Sequence, residues 1–191
     1  MDYKSSVVRM IVVVLLFLKK REREIGRERE MERENNNNMT LPCTSVMTRS
    51  VWSYNLESEF ELIRSVIALH LFISMDTEFP GVVFQSYPAF RQPQNNYAVM
   101  KANMDSMHLI QVGLTLSDCH GNLPTLGTSN RFIWEFNFRE FDVTQHPHAP
   151  HSIALLRRQD MDFDKNRKFG VNIMRFAELM MLSGLLCNNN I

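Results

Sequence analysis

Apolar and polar positions recur along this chain with two different periods, and the switches between them mark out its elements. Leu56, Phe60, Ile63, Ile67 and Leu71 follow one another at spacings of four, three, four and four. That is the stripe of an amphipathic helix over residues 55–70. Asn55 suits its N-cap, Glu57 and Glu59 suit its positive end, and Trp52 is placed to pack under its entry. The helix runs into a short apolar segment, 71–75, which reads as a buried strand ending in Asp76-Thr77-Glu78 and turning at Pro80-Gly81. Residues 82–85 are apolar and β-branched and predict a second strand after a tight turn. Residues 86–96 are polar, hold two prolines and read as a loop. Tyr97, Met100, Met104 and Met107 predict a helix over 97–108 with a core face.

The second half starts with strands and ends with helices. Residues 109–116 carry apolar side chains on both faces, which predicts a central strand covered on two sides. Residues 118–122 are turn chemistry, and 131–138 form an aromatic-rich strand. The short links between successive strands predict antiparallel pairs. Helices follow over 152–159, capped by Ser152, and over 172–184, ended by Gly184. This order gives an α/β or α+β fold, in which a further parallel strand is expected after the last helix.

Composition changes the picture mainly at the N-terminus. The 191 residues are ordinary for a globular domain, 45% hydrophobic and 22% charged, with zero net charge. Residues 1–38 hold nine Lys/Arg and seven Asp/Glu, leaving twelve and fourteen for residues 39–191. The remainder is mildly acidic, so no broad basic surface announces nucleic acid. Within 1–38, residues 10–18 are a nine-residue apolar run, too short to span a bilayer. An Arg/Glu-rich tract and four asparagines follow. Such low-complexity sequence cannot bury a core. The reading is an extension over 1–38, dispensable for the fold, and one domain over 39–191. Cys43, Cys119 and Cys187 form no C-x-x-C pair, and their odd number fits no complete disulfide framework.

The candidate chemistry sits at Asp76 and Glu78. On a strand, residues i and i+2 share a face with Cα atoms roughly 6.5–7 Å apart, so the two carboxylates stand side by side and repel unless a cation lies between them. A hard divalent metal is the natural candidate. Two other groupings carry less. His146, His148 and His151 lie in a run containing Pro147 and Pro150, without the rigid support that zinc sites need. Asp160, Asp162 and Asp164 begin like a calcium loop, but the positions that need Gly and Glu hold Lys165 and Val171, or Arg167 and Ile173 in the other register. They read as a solvated turn before a helix. No nucleotide-cradling glycine loop and no serine-nucleophile motif is present.

Asp76-Thr77-Glu78-Phe79-Pro80-Gly81 resembles the first motif of the CAF/POP-type poly(A)-specific ribonucleases, catalytic subunits of the CCR–NOT deadenylase complex within the DEDD exonuclease superfamily. Collinear blocks agree: Trp52 with residues 55–60, then 109–115, 121–124, 134–141 and 175–180. The likeness runs from about residue 50 to 187 and is strongest to plant members. It implies a ribonuclease H-like mixed sheet flanked by helices. It also implies 3′-to-5′ removal of adenylates from mRNA poly(A) tails as 5′-AMP, by a two-metal mechanism using Mg²⁺ or Mn²⁺. Asp76 would bridge both metals, and Glu78 would bind one and help orient the water. The implied partners are the poly(A) tail, the CCR–NOT scaffold and its partner nuclease subunits. The implied location is cytoplasmic and nuclear, without stable membrane association.

The resemblance also has a gap. Nothing in this sequence matches the family's second-motif block of the type F-H-S-G-Y-D-F-G-Y-L, its third-motif aspartate or its catalytic histidine. The sheet is therefore expected to be incomplete, lacking its later parallel strands. The metal is expected to bind weakly and the activity to be impaired. The alternative expectation is a catalytically dead fragment that serves as a scaffold- or RNA-binding module.

Overall fold

A computed structural model describes residues 45–85 and 93–185. Four strands and five helices occur among them: β1 (Val46–Val51), α1 (Leu56–Val66), β2 (Phe72–Glu78), α2 (Pro93–Ser106), β3 (Gln111–Ser117), β4 (Arg131–Asn137), α3 (Pro150–Arg158), α4 (Phe163–Phe169) and α5 (Ile173–Leu182). The strands form one mixed sheet in the order β1-β4-β3-β2. β1 runs parallel to β4, while β3 is antiparallel to both β4 and β2. The α/β reading therefore holds, and β3 is central.

The period of two in β3 and β4 sorts the sheet into two unlike faces. Val112, Leu114 and Leu116 from β3, with Trp134 and Phe136 from β4 and Val51 from β1, are buried on one face. Leu56, Phe60 and Ile63 of α1 and Phe176, Leu179 and Met180 of α5 pack into the same core. Phe176 makes ring contacts with Phe60, Phe136 and Phe138 at centroid distances of 5.9, 4.9 and 5.1 Å. A smaller core at the end of the sheet joins Ile110, Phe141, Ile153, Leu156 and Phe163. The other sheet face carries Ser74, Asp76 and Glu78 of β2, Gln111, Gly113 and Thr115 of β3, and Glu135 of β4. Its β3 positions are half-buried. The strand over 109–116 is thus not apolar on both sides; its two consecutive apolar residues, Leu109 and Ile110, precede the ladder.

Several expected elements differ. β1 carries no readable apolar period: on the face it shares with buried Val51, Met47 is exposed and Arg49 stands between them. Arg49 is accommodated by Glu59, whose carboxylate takes Nε at 2.6 Å and Nη2 at 2.8 Å and also accepts the Trp134 indole N–H at 3.0 Å. Asn55 does precede α1, but its side chain braces the turn instead of the helix: Oδ1 accepts Trp52 N–H at 2.7 Å and Nδ2 donates to Ser50 O at 3.2 Å. Trp52 is buried, with Lys165 Nζ 4.2 Å from its ring centroid.

Residues 82–85 form no strand. Their backbone is held by Asn103 of α2, whose Oδ1 accepts from both Val83 N and Phe84 N at 2.9 Å and whose Nδ2 donates to Phe84 O at 2.8 Å. The antiparallel partner of β2 is β3, not this segment. α2 begins at Pro93, inside the expected loop, whose residues 86–92 lie outside the described set. Its expected core face is not one: Tyr97 is 62% and Met100 58% exposed. α3 starts at Pro150, with Ala149 and not Ser152 at its N-cap. The turn expected at the aspartates does precede a helix: α4 follows it and takes in Asp164, with Asp162 Oδ1 accepting Lys165 N–H at 2.9 Å. Asn172 caps α5 through Met174 N and Arg175 N, and Gly184 ends the run at φ +82°.

Candidate metal site

Asp76 and Glu78 owe their placement to the register of β2. Asp76 pairs with Gly113 and Glu78 with Gln111. Both carboxylates stand on the polar sheet face, Asp76 exposed and Glu78 half-buried. Asp76 Oδ1 accepts the N–H of Thr77 at 2.9 Å. Gly113 leaves open the space across the ladder: a Cβ built there would come within 3.8 Å of the Asp76 Cβ. A glycine within a strand often marks such a close approach by another group. One strand further, Glu135 pairs with Gly113 and lies 3.5 Å from Ser50 Oγ. In the neighbouring row Gln111 Nε2 donates to Asn137 Oδ1 at 2.8 Å.

The end of β2 is fixed by three backbone devices. Ile110 N donates to Glu78 O at 2.9 Å, and Ala149 N donates to Pro80 O at 2.8 Å. Gly81, at φ +86°, then turns the chain under α3, where any Cβ would run into Ala149 and Ser152. Local chain geometry is thereby pinned at Glu78 and just after it.

Electrostatics favour a cation here. Burial pushes the Glu78 carboxyl above its ordinary range, and the neighbouring charge of Asp76 pushes it further. A hard divalent ion between them would relieve both costs, since carboxylate oxygen is its preferred donor. The donor set fits such an ion in kind. In number it is small: among the described residues no three His, Cys, Asp or Glu side chains converge to hold a metal.

The histidine run is occupied with structure. His146 Nδ1 accepts Asp142 N–H at 2.9 Å, and His148 Nδ1 lies 2.9 Å from His146 O. Cys119 is exposed. No helix among the described residues is long and apolar enough to cross a membrane.

A family model described as CAF1 family ribonuclease matches residues 51–183, which takes in α1, the Asp76–Glu78 strand and all of the central sheet except most of β1. The chain belongs to the CAF1 ribonuclease family. Among curated relatives of this family, the probable CCR4-associated factor 1 homolog 10 of Arabidopsis thaliana is 50% identical over 153 residues, covering 80% of this chain and 55% of the relative. The poly(A) ribonuclease pop2 of Schizosaccharomyces pombe is 41% identical over 144 residues, covering 75% and 42%. The chain spans about half the length of the curated relatives it matches.

Solved structures agree. The S. pombe Pop2p structure with Mg²⁺ and Mn²⁺ bound aligns with a TM-score of 0.63 at 42% identity, over 72% of this chain and 53% of that one. A chain in the structure of a yeast NOT1 MIF4G domain co-crystallised with CAF1 aligns with a TM-score of 0.57 at 35% identity, over 77% of this chain and 52% of that one. The expected family and the mixed α/β fold are thus both found.

Proposed function

We propose that this chain carries part of a divalent-metal site of a 3′-to-5′ exoribonuclease that shortens mRNA poly(A) tails and releases 5′-AMP, with Asp76 and Glu78 as its ligands. The supporting observation is the pairing of these carboxylates on the polar face of β2, opposite the space left by Gly113, within a CAF1-family sequence. A bound divalent ion supplies Lewis acidity, activating a water and steadying the leaving 3′-oxygen; two ions sharing that task is part of the proposal. Asp76 and Glu78 supply the negative charge that draws the cation in. The pinned end of β2 keeps that charge in place without reorganisation. Glu78 must be deprotonated to act, so cation binding should weaken as pH falls through its raised pKa.

Weak binding belongs to the same reading, because two carboxylates leave most octahedral positions of a Mg²⁺ ion to water. A polypeptide of these 191 residues is therefore proposed to trim slowly by itself. The NOT1 complex and the CCR4-associated names of relatives support a place in the CCR–NOT assembly, beside its scaffold and partner nucleases. That likeness also favours a second reading, in which the chain docks on the scaffold without cleaving RNA.

One experiment addresses both. End-labelled oligo(A) is incubated with the chain and Mg²⁺ or Mn²⁺, alongside Asp76→Ala and Glu78→Ala, and Mn²⁺ binding is followed by electron paramagnetic resonance. Slow one-nucleotide shortening, lost in both variants together with Mn²⁺ binding, is the expected result. Binding that survives in both variants would overturn the assignment of the ligands. Trimming at the rate of a complete homologue would overturn the impairment. No trimming, with retained capture of a NOT1 MIF4G domain, would favour the docking reading.

A further inference from the structure

Beyond the end of β1, an exposed tyrosine stands beside two lysines that carry no counter-charge. Tyr54 is 74% exposed, on the turn that Asn55 braces through Trp52 N and Ser50 O. The end of α4 is tied to this turn, Ser53 N donating to Phe169 O at 2.8 Å. That helix brings the cations. Lys165 Nζ lies 4.2 Å from the Trp52 ring centroid, and Lys168 Nζ lies 5.0 Å from that of Phe169, itself 39% exposed. Neither lysine pairs with a carboxylate among the described residues, whereas Arg167 is spent on Asp142. Residues 157–168 hold five Lys/Arg and three Asp, within a fold that is otherwise acidic. Of those aspartates, Asp162 caps α4, while Asp160 and Asp164 face solvent.

Strand direction puts this surface at the same end of the sheet as Asp76 and Glu78. β2, β4 and β1 run parallel to one another, with β3 opposed between β2 and β4. Pairing runs from Thr77 through Val112 and Phe136 to Val51. Val51 thus stands level with Thr77, three strand spacings or roughly 14 Å away. Tyr54 follows Val51 in the chain after the turn, and Glu78 follows Thr77 directly.

We propose that Tyr54, Lys165, Lys168 and Phe169 form a binding surface for single-stranded RNA, the lysines holding phosphates and the two aromatic side chains stacking unpaired bases. A phosphodiester chain with unpaired bases uses both kinds of group at once, as single-strand binders do. Lysines lying over aromatic rings are attracted by them and so kept near the platform. The nearby aspartates dilute the positive field, so stacking on Tyr54 carries much of the affinity. A strand whose 3′ end reaches Glu78 spans the distance to Tyr54 in roughly four nucleotides, at the ~3.4 Å rise of stacked bases. That last link rests on the function proposed above; the RNA surface itself does not.

The test is binding of fluorescein-labelled oligo(A) by the whole chain, read by anisotropy across a salt series with EDTA present, so that neither metal nor cleavage takes part. Tyr54→Ala should weaken binding about tenfold, the effect of losing one base–aromatic stack. Tyr54→Phe should retain it. Lys165→Gln combined with Lys168→Gln should flatten the slope of log affinity against log salt by about 1.4, two phosphate contacts at ~0.7 each. Annealing oligo(U) to the probe should abolish the Tyr54 dependence, since paired bases are no longer open to a side chain. Affinity that ignores Tyr54→Ala, or a salt slope unmoved by the lysine changes, would overturn the surface. So would a Tyr54 dependence shown by phosphatidylserine vesicles and not by oligo(A). Oligo(A) binding that follows these variants, in a chain that never trims with Mn²⁺, would count against the exonuclease reading and leave the RNA surface standing.

Discussion

Arg49 and Glu59 face each other in a part of the chain where neither would be comfortable alone. The Glu59 side chain is 6% exposed and that of Arg49 29%. Removing the guanidinium strands a buried carboxylate, whereas removing the carboxylate's charge leaves a guanidinium that can reach water. Breaking a buried pair from the costly side typically loses about 3–5 kcal/mol. Arg49→Met is therefore expected to cost that much, and Glu59→Gln, which still accepts from Trp134, about 1 kcal/mol. Urea denaturation of both variants checks the order, and equal losses would contradict it.

Glu140 gives the pH test. Its Oε1 accepts from Ile173 N at 3.0 Å and Asn172 Nδ2 at 3.2 Å, while Oε2 is buried without a partner. Burial raises its pKa above the ordinary 4.5, outweighing those bonds. A folded state that holds the proton more tightly is favoured at low pH and loses that advantage as pH rises through the raised value. Glu140→Gln carries no charge to bury. Relative to the parent, it should gain stability between pH 4.5 and 7, as read from denaturation midpoints. At this scale Asp76 and Glu78 were legible in the sequence, because strand periodicity alone sets them side by side. Glu59 and Glu140 were not, since their partners lie 10 and 33 residues away and only the fold brings them together.

At the level of elements, success followed the strength of the pattern. α1, β3, β4 and α5 were readable because each presents a sustained apolar period. β1 hid behind a core-facing arginine. α4 is seven residues long, too short for a period to repeat, and its only signal was the capping Asp162. Residues 82–85 have a strand's composition but their backbone groups are taken by one side chain. Asn103→Ala would leave the N–H groups of Val83 and Phe84 without acceptors, costing about 1–3 kcal/mol. Faster amide exchange at those two positions, with β3 unaffected, is the expected outcome. Protection that persists would mean that something other than Asn103 holds the segment.

At the scale of the whole molecule, the family model matches residues 51–183. We propose that residues 39–191 hold the fold and that 1–38 are an extension to it. A chain begun at residue 39 should melt within about 2 °C of the full one, a shift worth about 0.5–1 kcal/mol for a domain of this size. A larger drop would show that the extension contributes to the fold. The sheet order itself was not readable, because which strand neighbours which depends on contacts between β1 and β4 some 85 residues apart.

Gly113 lets folding and chemistry be varied separately. Its neighbours would tolerate one added methyl group, since the nearest atom lies at ordinary van der Waals distance. That methyl group would nonetheless stand on the floor of the space beside Asp76. Gly113→Ala should thus leave the melting temperature nearly unchanged and weaken Mn²⁺ binding, with every donor oxygen still in place. The vacancy left by one missing carbon can in this way be measured as a quantity of its own, apart from charge.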